Sequence, residues 1–105
     1  MTTASLVQIL LPLEDNEGSP IPRGLFDGVE RELVARFGGL TAHTRAPAEG
    51  VWTEEGAGRV RDRVVVFEVM TADLDPAWWA DYRRALESRF SQSEVVIRAM
   101  SIQRL

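Results

Sequence analysis

A histidine and a glutamate set in otherwise apolar, strand-like segments are the residues here whose types suit proton chemistry. His43 lies in the alternating run Leu40-Thr41-Ala42-His43-Thr44-Arg45, and Glu68 interrupts the β-branched run Arg63-Val64-Val65-Val66-Phe67-Glu68-Val69-Met70. On neighbouring antiparallel strands a carboxylate orients an imidazole for general-base work near neutral pH. The structural alternative is a hydrogen bond or ion pair that fixes the register of a dimer interface. Two further polar residues have similar settings: Gln8 between Leu6 and Leu10, and Arg98 between Val96 and Met100. Together they suit a substrate carboxylate, which a guanidinium grips with two prongs. The alternative for Arg98 is a simple pairing with Glu68.

The remaining candidates are aromatic or acidic. Trp79 and Tyr82 fit the core face of a helix, with Trp78 off that face. Trp52 lies in a hairpin, where a large ring needs something to cover, either a partner subunit or a ligand pocket. Glu14, Asp15, Glu17, Glu49, Glu54 and Glu55 are acidic loop residues, but their spacing matches no calcium loop, and solvated loops account for them. No metal site and no cofactor are expected.

Absences narrow the chemistry further. The 105 residues contain no cysteine and no lysine, and His43 is the single histidine. Disulfides, thiolate metal sites, cysteine nucleophiles, lysine Schiff bases and phosphate-loop lysines are thereby excluded, as are sites needing several histidines from one chain. With 12 basic and 16 acidic side chains the formal charge is −4, which argues against a nucleic-acid partner. The start of the chain lacks the basic residues and small-residue cleavage site of a signal peptide. No apolar run approaches the ~18 residues of a membrane span. The expectation is a soluble cytoplasmic protein.

The elements that must position these residues follow from hydropathy patterning. Ser5 to Leu13 reads as a short buried strand. Asn16 to Pro22 is loop, and Pro22 opens a helix with Phe26, Val29, Leu33 and Phe37 on one face. Gly38-Gly39 ends that helix. Leu40 to Arg45 is a second strand, with Leu40, Ala42 and Thr44 facing inward. Val51-Trp52-Thr53 and Arg59-Val60-Arg61 pair around a turn over Glu54 to Gly58. Arg63 to Met70 is the strongest strand. Asp75-Pro76 starts a second helix, and Glu94 to Ile102 is the last strand.

The order βαββαβ, over a single domain of residues 1–105, is the ferredoxin-like pattern: an α+β fold with strands in the order 4-1-3-2 and both helices on one face. Alternation sends Val65, Phe67 and Val69 toward the helices. It leaves Gln8, His43, Glu68 and Arg98 on the other face, in apolar surroundings. An apolar face of this extent marks an interface, which predicts a homodimer joined through the open sheet face.

The chain resembles the small dimeric α+β-barrel proteins of bacteria, whose subunits are ferredoxin-like. It also looks like an uncharacterised bacterial family in which Gly-Leu-Thr opens the second strand and Gly-x-Trp follows in the hairpin, here Gly39-Leu40-Thr41 and Gly50-Val51-Trp52. The barrel group includes ligand-binding proteins and cofactor-independent oxygenases or isomerases, so the resemblance implies a fold rather than a reaction. Asp15-Asn16-Glu17-Gly18 before the first helix resembles amino-acid-binding regulatory domains of the ACT type, from which the extra Ser19 to Gly24 segment departs.

The functional expectation is a small organic ligand, a carboxylate or an aromatic compound, bound on the open sheet face of a homodimer. His43 and Glu68 are the candidate catalytic pair, and Gln8, Arg98 and Trp52 the candidate ligand-binding residues. The competing expectations are an interaction or structural module whose sheet face is filled by its partner, and a cofactor-independent oxygenase- or isomerase-like enzyme.

Overall fold

The computed structural model describes residues 2–54 and 58–105, without the side chains of residues 45–48, 52, 54 and 58–62. In chain order the elements are β1 (Thr2–Pro12), α1 (Arg23–Phe37), β2 (Thr41–Glu54), β3 (Gly58–Thr71), α2 (Pro76–Arg89) and β4 (Val96–Arg104). The strands form an open antiparallel sheet in the order β2-β3-β1-β4. This is the α+β class expected, with two helices.

Local chemistry sets the helix ends. Pro22 stands just before α1 rather than in its first turn, at φ −58° and ψ 136°, with no side-chain cap. Gly38 ends α1 at φ 83°, where its N–H donates to the Val34 carbonyl at 2.8 Å. A side chain there would be strained, since the left-handed region costs an L-residue energy. Asp75 caps α2, its carboxylate accepting the Trp78 N–H at 3.1 Å, and Pro76 follows in the first turn, where its missing donor costs nothing.

The core lies on one face of the sheet. Val7, Ile9 and Leu11 of β1 and Val65, Phe67 and Val69 of β3 are buried with Val29 and Leu33 of α1 and Trp79, Tyr82 and Leu86 of α2. Both helices therefore cover the face carrying the odd-numbered residues of β1 and β3. An ion pair of Arg89 with Glu32 joins the two helices, and the second Arg89–Glu32 contact measures 3.0 Å. Glu87 accepts from Arg83 at 3.0 Å and from the Val95 N–H at 2.9 Å, which fixes the entry into β4.

Several boundaries differ from the sequence reading. β1 begins at Thr2, not Ser5, because Thr2 to Ser5 pair with Ser101 to Arg104 of β4, and β4 accordingly runs to Arg104. The second strand and the hairpin are one continuous element, β2, whose register shifts between His43 and Ala48. Pro47 falls inside that irregularity on an edge strand, where a missing donor is tolerated. The expected hairpin pairing is present as Val51↔Arg61, Trp52↔Val60 and Thr53↔Arg59; residues 55–57 of its turn lie outside the described residues. Of the second-strand positions expected to face inward, Leu40, just before β2, packs against the core, whereas Ala42 and Thr44 are exposed. The helix layer covers the centre of the sheet and not this edge.

Trp78 has a setting that helical periodicity alone does not show. It stands off the core face by helical angle, yet it is half-buried, stacked on Tyr82 (4.9 Å between centroids) and edge-on to Phe37 (5.5 Å). The Arg36 guanidinium lies 4.1 Å from its ring centroid. An aromatic seam between the C-terminal turn of α1 and the first turns of α2 thus absorbs it.

Candidate functional site on the open sheet face

Cross-strand register puts the four candidate polar residues on one face. Gln8 of β1 stands opposite Glu68 of β3 on one side and Arg98 of β4 on the other. Thr41 of β2 is opposite Glu68, so His43, two residues on, shares that face at the diagonal position.

The side chains join into a continuous row. Arg98 Nε donates to Gln8 Oε1 at 2.8 Å, Gln8 Nε2 donates to Glu68 Oε2 at 2.6 Å, and His43 Nε2 lies 2.8 Å from Glu68 Oε1. The hydrogen bond from the Gln8 amide, and secondarily the His43 bond, hold the Glu68 carboxyl below its ordinary value. An ionised carboxylate only accepts, so His43 Nε2 carries the hydrogen and Nδ1 is left as the basic atom in the neutral ring. His43 is 55 % exposed and Glu68 18 %, so the imidazole reaches solvent while the carboxylate is sheltered.

The expected alternative for Arg98, a pairing with Glu68, is not what forms. β1 lies between β3 and β4, so Gln8 stands between the two charges and bridges them. Among the described residues no carboxylate comes within ion-pair distance of the Arg98 guanidinium, and only its Nε is engaged.

Two apolar rungs flank the polar row. Leu6 stands between Met70 and Met100 on one side, and Leu10 between Val66 and Val96 on the other. Met70, Val96 and Met100 are 48 %, 45 % and 45 % exposed. The face therefore presents one hydrogen-bonded polar line inside an apolar field, with a free guanidinium edge at β4 and an imidazole at β2. Such an arrangement can hold an anion at Arg98 and accept a proton at His43 Nδ1.

The other candidates sit elsewhere. The Trp52 backbone pairs with Val60, and its side chain is outside the described residues. Glu14 pairs with Arg63 at the foot of the hairpin, and Asp15 Oδ1 accepts the N–H groups of Glu17 and Ser19 at 2.9 Å each, closing its own loop. These two acids have structural work in the loop and the hairpin base. An open hollow lined by Asp27, Glu30, Arg31, Val34 and Ala35 lies on the outer side of α1, across the sheet from the polar row. Sequence reasoning missed the role of Gln8 as the bridge, although the strand order contains the signal for it.

No protein-family model matches the chain, and no curated protein matches it. Among solved structures it is similar to a phage SAM lyase in complex with S-methyl-5'-thioadenosine. The TM-score is 0.58 and the identity 16 %, over 99 % of this chain and 92 % of that one. At that identity the likeness is one of fold, an α+β arrangement that in the phage protein accompanies a small bound ligand. Among the described residues no helix is long and apolar enough to cross a membrane.

Proposed function

We propose that this chain binds a small organic carboxylate on the open sheet face, as a homodimer of ferredoxin-like subunits in the cytoplasm. The carrying observation is the row Arg98–Gln8–Glu68–His43, hydrogen-bonded end to end and set between two apolar rungs. Arg98 takes the carboxylate, the rungs take the apolar body, and Gln8 and Glu68 hold the row in one orientation. The phage structure with its bound thionucleoside supports the small-ligand reading at the level of fold. The chemistry open to the row is cofactor-independent proton transfer, with His43 Nδ1 as the base and Glu68 orienting it.

Thermal-shift screening of the wild type and Glu68→Gln tests the reading. The panel contains apolar carboxylates, their neutral amides and S-methyl-5'-thioadenosine. The expected result is stabilisation of the wild type by carboxylates and a smaller shift in the variant. Equal shifts in both proteins, or none in either, remove the row from any ligand site.

A second reading has its own observation. Met70, Val96 and Met100 are large apolar side chains left half in water on one face, as expected of an interaction module whose function is assembly alone.

A further inference from the structure

We propose that two copies of this chain pack open face to open face about a two-fold axis parallel to the strands, so that Arg98 of one subunit stands over the His43–Glu68 pair of the other and two shared sites result. This rests on the small-ligand reading above and adds the partner that completes the site. Within one chain, β4 and β2 are the opposite edges of the sheet. Three strand spacings, about 14 Å, separate them. Arg98 and His43 of one chain therefore cannot close around one small molecule. Two stacked sheets lie about 10 Å apart, a gap that a guanidinium and an imidazole can span with a small acid between them.

Charge chooses the axis. A two-fold axis parallel to the strands reverses the strand order across the interface, placing β4 over β2 and β1 over β3. The free guanidinium then meets the carboxylate–imidazole end of the partner's row. An axis across the strands stacks each strand on its own copy, setting Arg98 against Arg98 of the partner subunit and Glu68 against Glu68 of the partner subunit. Like charges facing each other in an isologous interface repel, so that arrangement is disfavoured. The parallel axis also keeps each position at its own height along the strands. The apolar rungs then cover each other, and Met70, Val96 and Met100 leave water.

Oligomeric state, read by light scattering and native mass spectrometry on the full chain, tests the pairing. The wild type is expected to dimerise. Arg98→Glu and Glu68→Arg each replace an unlike contact with a like one, and each weakens dimerisation by more than about tenfold. Mixing the two variants restores a heterodimer, because both cross-subunit contacts again oppose Glu and Arg. Met100→Glu changes a side chain already half in water, so its fold persists while its dimer is lost. A wild type that stays monomeric, a mixture of folded variants that stays monomeric, or a Met100→Glu dimer of wild-type affinity overturns the proposal. A monomeric wild type that still responds to the carboxylates overturns the shared site and leaves the ligand reading standing. A mixed heterodimer from a protein that none of the panel stabilises upholds the pairing and removes the ligand reading.

Discussion

The Gln8 side-chain amide donates to Glu68 Oε2 at 2.6 Å while its carbonyl accepts from Arg98. Only this orientation satisfies both charged neighbours, so the amide is fixed by them and in turn holds them apart. Replacing Gln8 with leucine keeps the volume on the β1 rung but leaves a sheltered carboxylate without its shortest bond. The expected cost is about 1–2 kcal/mol. Urea unfolding would show it as a lower midpoint with an unchanged slope. An unchanged midpoint would mean that water replaces the amide without loss.

Acidification should weaken the fold through two carboxylates. Gln8 and His43 hold the Glu68 carboxyl below its ordinary 4.5, and Arg89 does the same for Glu32 between the helices. A carboxyl depressed in the folded state contributes stability that is present above its unfolded value and is lost as pH falls through the folded one. The urea midpoint is therefore expected to drop below about pH 4.5. Glu68→Gln should be less stable than the wild type at neutral pH and should show a shallower acid decline. Parallel declines in the two proteins would remove Glu68 from this linkage.

Much of this was open to reading in the residues, and the exceptions share a cause. Period-two alternation marked Val65, Phe67 and Val69 as core and put Gln8, Glu68 and Arg98 on the opposite face, because a strand has only two faces. Asp75-Pro76 and Gly38 marked helix ends because capping is local chemistry. Partner choice was harder. Whether Arg98 meets Glu68 or Gln8 depends on which strand lies between them and on which atoms the register aligns. The burial of Trp78 depends on how closely Phe37 and Tyr82 bring the helices together, which no single-helix periodicity contains. Ala42 and Thr44 are exposed because the helix layer stops short of an edge strand. In each case the missing information was a distance between elements.

The helix layer offers a test of packing that leaves the open face alone. Phe90, just past α2, is fully buried and meets the Phe26 ring edge-on at 5.3 Å between centroids. Its truncation to alanine removes both the burial and the ring contact and should cost about 3–5 kcal/mol. Small domains have only about 5–15 kcal/mol in total, so the thermal midpoint should fall steeply. Asp75→Ala removes the α2 cap and should cost less, about 1 kcal/mol. A Phe90→Ala loss no larger than that of Asp75→Ala would place the main core elsewhere.

The tautomer of His43 follows from the state of Glu68. With the carboxylate ionised, the 2.8 Å contact needs a hydrogen on Nε2, which leaves Nδ1 as the unprotonated nitrogen of the neutral ring. Long-range nitrogen–proton correlation spectra at mildly alkaline pH should therefore show a predominant Nε2–H form. Free imidazole rings already favour that form modestly, so the informative comparison is between the wild type and Glu68→Leu, which removes the acceptor. The Nε2–H population should be larger in the wild type than in Glu68→Leu, and the His43 ring should gain mobility when Glu68 is lost. An Nδ1–H form in the wild type would reverse the assignment of donor and base. It would turn the basic nitrogen toward Glu68 and away from the space above the sheet, leaving His43 unable to accept a proton from anything bound there.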